Sequence, residues 1–251
     1  MPGRSEPTAV VTGGSSAIGL AVSLELAERG FSVVVADLRP PDDSALERRS
    51  GSSISFEAVD VAARGEVDDL FAAVSARAGG LKCLVTCAGV TAQQPSVEVS
   101  DDAWSRVLQT HLYGTFLCCQ AAYPLLAATT GAAIVTVSSV AAHLGIPGRL
   151  SYAAAKSGIE GLTRTLAVEW VADDIRVNCV APGWARTPAV VAALDARIVD
   201  ESRLTGRIPM GRLATAEEIA KPIAFLASDD ASYVSGQVLI VDGCTSVGFD
   251  S

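Results

Sequence analysis

Histidine and lysine are scarce in this chain of 251 residues. It has two histidines, and three lysines beside sixteen arginines. Its six cysteines form no C-x-x-C pair and no spacing with histidine that suits a zinc site. We therefore predict that the chain binds no metal and that its thiols are reduced and packed as small apolar side chains.

Long apolar runs and a surplus of positive charge are also missing. No stretch approaches the roughly 20 apolar residues of a membrane span, and residues 1–7 are too polar for a secretory signal. The formal net charge of -9 disfavours binding to nucleic acids and anionic membrane surfaces. With 49% hydrophobic residues, the composition is that of a globular protein. We expect a cytoplasmic protein with neither nucleic-acid nor membrane partners.

Short apolar segments rich in β-branched residues alternate with longer segments whose apolar residues recur at helical spacing. We predict strands at 8–12, 31–36, 53–59, 81–86, 132–137, 175–180 and 238–241. We predict helices at 18–29, 66–78, 102–128, 152–171 and 216–228. This alternation over residues 1–251 predicts a single α/β domain, a doubly wound parallel sheet of the Rossmann type with helices on both faces.

Residues 183–210, after the sixth predicted strand, mix prolines, apolar residues and carboxylates. A long insertion at the carboxyl end of a sheet is a usual place for a lid over a ligand. We predict a substrate lid here; the alternative is an ordinary surface loop with a short helix.

The first predicted strand runs directly into a glycine-rich turn and then into a helix. Such a turn lets the backbone approach a pyrophosphate, which lies at the positive end of the following helix. The candidate cofactor-binding residues in this turn are Gly13, Ser15, Ser16, Ala17, Ile18 and Gly19.

Two acidic residues follow at the ends of the next strands. Asp37 can accept hydrogen bonds from both ribose hydroxyls and would repel a 2′-phosphate, which favours NAD over NADP. Arg39, two positions further on, weakens that preference, and Asp37 has an alternative role as a strand-end turn residue. Asp60, after the third strand, is a candidate contact for the adenine amino group.

Tyr152 and Lys156 are four residues apart in a predicted helix and therefore lie on the same face. A tyrosine phenol is a poor base at neutral pH, but an ammonium about 4 Å away favours its ionised form by on the order of 4 kcal/mol. The pair can thus take a proton from an alcohol. Ser139, at the end of the fifth strand, offers a hydroxyl that can hold the substrate oxygen.

In this order the motifs resemble the short-chain dehydrogenase/reductase family over nearly the whole chain. The further landmarks are Val61, Ala88-Gly89, Asn178, Pro182-Gly183 with Thr187, Gly211-Arg212 and Val241-Asp242-Gly243. The resemblance implies a seven-stranded parallel sheet and hydride transfer between nicotinamide C4 and a substrate carbon. It also implies a homotetramer, or a homodimer, that pairs through the helices at 102–128 and 152–171.

The resemblance assigns roles to these residues. Tyr152 would be the acid/base, Lys156 would hold the nicotinamide ribose, and Ser139 would orient the substrate oxygen. The backbone after Pro182-Gly183 and the Thr187 hydroxyl would hold the carboxamide, while Val61, Ala88 and Gly89 would line the cofactor site.

Three positions depart from the family pattern. Ala17 replaces a glycine, which is tolerable if its φ stays negative. Thr86-Cys87 replaces two asparagines, so a side-chain amide that ties strands together is lost and we expect lower stability. His111 replaces a catalytic asparagine. It either relays protons, with a titration near pH 6.5, or fills the space and makes local hydrogen bonds.

We predict an NAD(H)-preferring oxidoreductase that interconverts a secondary alcohol and a ketone. Its substrate should be small to medium and largely uncharged, such as a steroid, polyketide or other secondary metabolite. It would contact Ser139, Tyr152, His143 and Trp184. Few charged residues are expected near this pocket, and Arg149 and Arg186 are the exceptions. The alternatives are an NADPH-dependent ketoreductase that uses Arg39 or Ser15, a cofactor-binding protein without turnover, and an epimerase or dehydratase.

Overall fold

A computed structural model of the chain describes residues 6–15, 17–41, 54–78, 80–91, 93–196 and 200–248. Seven parallel strands form one sheet in the order β3-β2-β1-β4-β5-β6-β7. They are β1 Thr8–Thr12, β2 Ser32–Asp37, β3 Ile54–Ala58, β4 Cys83–Thr86, β5 Ala132–Val137, β6 Ile175–Pro182 and β7 Val238–Val241. The predicted seven-stranded parallel sheet is confirmed.

Eight α-helices lie in the described residues: α1 Ala17–Glu28, α2 Arg64–Ala78, α3 Asp101–Leu108, α4 Gly114–Ala127, α5 Leu150–Trp170, α6 Pro188–Asp195, α7 Glu201–Thr205 and α8 Ala216–Ala227. The single helix predicted over 102–128 is wrong in detail, because the π-helical turn Gln109–Tyr113 joins α3 to α4. None of the helices in these residues is long and apolar enough to cross a membrane.

Helices cover both faces of the sheet, as predicted. Alternate strand residues point to opposite faces, so Val11 and Val33 pack with α1 and α8, while Val10 and Val34 pack with α2 and α4. The inner strands β1, β4, β5 and β6 are buried along their length because both faces carry helices, whereas the edge strands β3 and β7 are partly exposed.

The position of β1 in the sheet creates the ligand crevice. β1 pairs with β2 on one side and with β4 on the other. Strands β2 and β3 therefore lie on one side of β1, and strands β4 to β7 lie on the other. In open α/β sheets the crevice at the carboxyl ends of such strands is where ligands bind. The carboxyl ends of β1, β2, β4 and β5 are therefore the elements that position the candidate site.

Candidate active site

The glycine-rich turn joins β1 to α1 at the carboxyl edge of the sheet. Gly13 has φ 64, and a Cβ built there would stand 2.7 Å from the Ala88 backbone. A Cβ at Gly19 would overlap the carbonyl oxygen of Gly13. Both positions thus require glycine, as expected where the backbone closely approaches a pyrophosphate. Ser16 lies outside the described residues.

Ala17, the first residue of α1, has φ 51 and therefore lies in the left-handed region. Alanine was expected to be tolerated at this position if its φ were negative, and that condition is not met. An L-residue in this region is disfavoured by about 1 to 2 kcal/mol because its Cβ approaches the following carbonyl oxygen. The glycine of the family pattern would carry no such cost.

The Asp37 carboxylate is held in place at the end of β2. Its Oδ2 accepts the Ser15 N–H at 3.1 Å and its Oδ1 accepts the Leu38 N–H at 2.7 Å. A carboxylate has about four lone-pair sites, so each oxygen can still accept a ribose hydroxyl. Ser15 Oγ donates to the carbonyl of Arg39 at 2.6 Å, which brings the Arg39 backbone beside the turn.

Asp60 makes a turn of its own after β3. Its Oδ1 accepts the Ala62 N–H at 2.9 Å, and its own N–H donates to Glu66 Oε2 at 2.7 Å. The carboxylate serves a local turn and also faces the cleft.

One cleft of about 270 Å³ collects most of the predicted cofactor residues. Nine of them line it: Gly13, Ala17, Ile18, Gly19, Asp37, Asp60, Val61, Ala88 and Gly89. Leu38, Val90 and Thr110 line the cleft as well and were not predicted from the sequence. Leu38 adjoins Asp37 and Thr110 adjoins His111, so their proximity in sequence to predicted site residues could have identified them. The tight glycine turn and the carboxylates at the strand ends fit a dinucleotide.

Lys156 reaches from α5 to the carboxyl end of β5. Its side chain is buried, and Nζ donates to the Val137 carbonyl at 2.7 Å. The same Nζ lies 5.6 Å from the ring centroid of Tyr152. Ser139 lies two residues beyond Val137, and its Oγ accepts the Ala141 N–H at 3.2 Å. The structure thus brings the cation, the phenol and the end of β5 together.

Glu160, one helical turn beyond Lys156, was missed by the sequence analysis. It is buried; its Oε1 accepts from Ser138 Oγ at 2.9 Å and lies 2.8 Å from His143 Nε2. Ser138 Oγ also contacts the Lys156 carbonyl at 3.1 Å. The structure therefore ties His143, predicted as a substrate contact, to a carboxylate behind the site. Tyr152, Lys156 and Glu160 follow one another at intervals of four residues, and this spacing could have indicated that Glu160 shares their helical face.

His111 occupies the π-helical turn and is 3% exposed. Its Nε2 lies 3.1 Å from the Val90 nitrogen and 2.9 Å from the Val90 oxygen, so either tautomer bonds to Val90. The ring stands edge-on to Tyr152 with centroids 5.2 Å apart. A Cβ at Gly89 would overlap the imidazole, so the histidine requires glycine there.

The protonation state of His111 differs from the expectation. Burial, and then the charge of Lys156, lower its pKa to about 3. The imidazole is neutral at physiological pH, so the expected titration near pH 6.5 is wrong. The local hydrogen bonds to Val90 match one of the two predicted roles. Nδ1 is buried and has no hydrogen-bond partner in the described residues, which leaves a second polar atom for a relay.

Thr86 and Cys87 stand beside the first strand and the cleft. The Thr86 hydroxyl is buried without a partner in the described part of the chain. Such a group destabilises the folded state, in line with the expected loss of stability. Burial raises the pKa of the Cys87 thiol to about 12, so the thiol is protonated at physiological pH.

Both ends of the predicted lid segment lie beside the end of β7, where the Met210 N–H donates to the Gly243 carbonyl at 3.2 Å. A Cβ at Gly183 would lie 2.7 Å from Asp242 Cα, so the chain passes close to the end of β7. The Arg186 N–H donates to the Ala214 carbonyl at 2.8 Å, and the guanidinium forms an ion pair with Glu201 of α7.

The first lid helix, α6, is capped by Thr187. The Thr187 hydroxyl accepts the Val190 N–H at 3.4 Å. Trp184, before it, is half-buried. The segment holds two helices, and its role as a lid stays a prediction.

A second cation lies against Tyr152. The Arg149 guanidinium carbon is 5.8 Å from the tyrosine ring centroid. Arg149 immediately precedes α5, so its positive charge lies near Tyr152, the acid/base candidate.

Comparison with known proteins identifies the family. A family model described as enoyl-(acyl carrier protein) reductase matches residues 13–246. The cis-4-hydroxycyclohexanecarboxylate dehydrogenase of Sinomonas cyclohexanicum is 42% identical over 242 residues, which are 95% of this chain and 96% of that protein. The 3-oxoacyl-[acyl-carrier-protein] reductase FabG of Thermotoga maritima is 35% identical over 239 residues, which are 93% of this chain and 95% of that protein.

A solved structure described as ElxO with NADP bound has a TM-score of 0.89 and 28% identity, and the match covers 96% of this chain and 99% of that chain. The sheet order, the cleft and the Tyr152–Lys156 pair agree with these likenesses. The chain is an oxidoreductase that uses NAD(P) and belongs to the short-chain dehydrogenase/reductase family.

Proposed function

We propose that the protein is an NAD(H)-preferring dehydrogenase that interconverts a secondary alcohol and a ketone. The observation that carries the proposal is the buried Lys156 ammonium, held by the Val137 carbonyl at 2.7 Å and standing 5.6 Å from the Tyr152 ring centroid. A fixed cation beside a phenol is the arrangement that acid/base catalysis on an alcohol needs. It lies next to a cleft built for a dinucleotide.

The protein residues divide the work as follows. Tyr152 Oη takes the alcohol proton in oxidation and returns it in reduction, and the Lys156 charge favours the phenolate between these steps. Ser139 holds the substrate oxygen through its hydroxyl. A bound nicotinamide would supply the hydride acceptor for the alcohol carbon, or the hydride donor for the ketone. Gly13, Gly19 and Asp37 would hold the other half of the dinucleotide.

NAD preference rests on the Asp37 carboxylate. Its two oxygens are fixed by the Ser15 and Leu38 N–H groups, and a fixed negative charge repels a ribose 2′-phosphate. The rival, an NADPH-dependent ketoreductase, is motivated by the positive charge of Arg39, two residues beyond Asp37. The NADP in the ElxO structure and the 3-oxoacyl reductase among the relatives also favour it. Fluorescence titration with NADH and NADPH separates the two, and a clear preference for NADPH would overturn our assignment.

The proposed substrate class is suggested by the relative at 42% identity, whose name specifies a hydroxylated cyclohexane ring. We propose a secondary alcohol on a small ring, in preference to a steroid or polyketide. Cyclic alcohols with NAD, and the matching ketones with NADH, are assayed by the nicotinamide absorbance band. Tyr152→Phe should lose at least a hundredfold in kcat because it removes the acid/base oxygen. Unchanged turnover would refute the mechanism.

His111 is proposed to assist as a neutral proton relay through Nδ1, the buried atom without a partner in the described residues. Its Nε2 is already engaged with Val90. His111→Asn, which restores the family residue, should retain activity, whereas His111→Leu should lower kcat more than it changes KM. Equal activity of the two variants would assign His111 a packing role alone.

The oligomer is proposed to form through α4 and α5. Phe116 on α4 is 37% exposed and Val168 on α5 is 78% exposed, which are large values for apolar side chains. Light scattering after gel filtration measures the mass, and a monomer would refute the expected dimer or tetramer. The single-domain organisation over 1–251, the lid at 183–210 and the cytoplasmic location stay proposals of the sequence analysis.

A further inference from the structure

We infer that Glu160 is a positioning residue that fixes the place of the Ser139 hydroxyl relative to Tyr152. This inference rests on the proposed function, because it concerns the residue that would hold the substrate oxygen. Glu160 lies on α5 and does not line the dinucleotide cleft. It therefore acts through Ser139, without touching the cofactor.

The first observation is that Glu160 binds the chain on both sides of Ser139. Its Oε1 accepts the Ser138 hydroxyl at 2.9 Å, one residue before Ser139. The same oxygen lies 2.8 Å from Nε2 of His143, four residues after Ser139. An ionised carboxylate only accepts hydrogen bonds, so Nε2 is the donor in this contact. One carboxylate oxygen thus binds both ends of the segment 138–143 to α5, the helix that carries the acid/base candidate.

The segment between these two ends is short and bonded to itself. Ser139 is followed by the 3-10 turn Val140–Ala142, and its Oγ accepts the Ala141 N–H at 3.2 Å. The Ala142 N–H donates to the Ser139 carbonyl at 2.9 Å. Because Ser139 Oγ accepts within the turn, its hydroxyl proton can be donated to a substrate oxygen. Fixing both ends of so short a segment therefore also fixes this hydroxyl.

The second observation is that Glu160 is buried and depends on the two contacts. Its residue is 6% exposed, and a buried carboxylate destabilises the fold unless hydrogen-bond donors reach it. The Arg164 guanidinium is mostly exposed and stands 4.0 Å from Oε2, so it is a weak partner. Hydrogen bonds to an ionised acceptor are short and strong. Ser138 and His143 are therefore held firmly against α5.

The test compares two substitutions that both remove the charge of Glu160. Glu160→Gln keeps an oxygen that can accept from Ser138 and His143, whereas Glu160→Met fills the same space and accepts nothing. With a cyclic alcohol and NAD, Glu160→Met should lower kcat about 10- to 100-fold, because misplacing a group by about 1 Å can cost about 100-fold. Its KM and its affinity for NADH should change little. Glu160→Gln should keep most of the activity, and equal losses in the two variants would overturn the inference.

Two further variants exclude a general effect on the helix. Glu169 is exposed on the same helix, so Glu169→Met is the matched control and should leave kcat unchanged. Ser139→Ala supplies a double-mutant cycle. If Glu160 acts through Ser139, Glu160→Met should cost at most about twofold more in the Ser139→Ala protein. Losses that multiply would show that Glu160 acts on another group and would overturn the inference.

Amide hydrogen exchange supplies a measurement that needs no turnover. Glu160→Met should speed exchange in the segment 138–143, where the Ala142 and His143 N–H groups donate within the turn. Glu169→Met should not, and unchanged exchange in Glu160→Met would overturn the inference. If Glu160→Met does not fold, Ser138→Ala replaces it in both assays, because it removes one of the two contacts.

These outcomes are distinct from failure of the proposed function. If the wild-type protein oxidises no cyclic alcohol and reduces no cyclic ketone, the proposed function fails, and hydrogen exchange still decides whether Glu160 holds the turn. If the wild type is active and Glu160→Met is as active, the dehydrogenase stands and the role of Glu160 is refuted.

Discussion

Replacing Ala17 by glycine should stabilise the protein, although glycine normally weakens a helix. Ala17 has φ 51, a conformation that costs an L-residue about 1 to 2 kcal/mol. Glycine removes this strain. It also gives the unfolded chain more backbone entropy, which lowers the free energy of unfolding by about 0.5 to 1 kcal/mol. The difference predicts a net gain of about 0 to 1.5 kcal/mol. For a chain of this size, the upper end of that range raises Tm by about 3 to 6 °C.

The assay is thermal or urea unfolding of the cofactor-free protein at one concentration. The control is Ala72→Gly in the middle of α2, where the side chain is exposed and the helix regular. There the same substitution should cost about 1 kcal/mol. If Ala17→Gly lost as much stability as Ala72→Gly, the strain assigned to Ala17 would be refuted. The side chain also lines the cleft, so the affinity for NADH should be measured in parallel.

Three further predictions concern the cofactor, pH and the core. Asp37→Ser should weaken NADH binding by about 10- to 100-fold, because charge-assisted hydrogen bonds to the ribose are lost, and should weaken NADPH binding less; parallel losses in a fluorescence titration would contradict the role of Asp37. His111 has a pKa of about 3 in the folded protein, below its ordinary value of 6.5, so the unfolded chain binds the proton more tightly and stability falls as the pH is lowered through 6.5. Between pH 7 and pH 5 the wild type should therefore lose about 2 kcal/mol relative to His111→Asn, and parallel stability curves in urea would contradict the buried neutral state. Thr86→Val should raise the free energy of unfolding by about 1 kcal/mol, since it removes a buried hydroxyl without a partner in the described residues; a decrease would show that the hydroxyl is satisfied.

Local patterns predicted the sheet well, because each buried parallel strand is a continuous apolar run that needs no knowledge of its neighbours. They failed where two elements depend on each other. The helix predicted over 102–128 reads as one amphipathic run, yet the turn Gln109–Tyr113 is π-helical. That turn carries the buried His111, whose ring packs against Tyr152 on another helix.

In the candidate site as well, local spacing identified some residues, whereas those that depend on tertiary contacts were missed. Tyr152, Lys156 and Ser139 were found from spacing and order, since an interval of four places two side chains on one helical face. Glu160 was missed, because a glutamate in a helix is ordinarily exposed and only the contact with His143 and Ser138 explains its burial. Arg149 was noted only as a charge near the expected pocket, although it lies three residues before Tyr152 and its guanidinium carbon is 5.8 Å from that ring centroid.

The sequence by itself determined the seven strands, the glycine turn and the order of the reactive residues, because strand burial, backbone freedom and helical spacing are short-range properties. The close approach of Gly13 to Ala88 and the neutral state of His111 were decided by the tertiary structure. Each depends on groups far apart in the chain: a turn that lies against the backbone after β4, and a desolvated ring near Lys156. Desolvation and charge proximity arise only when those groups pack together.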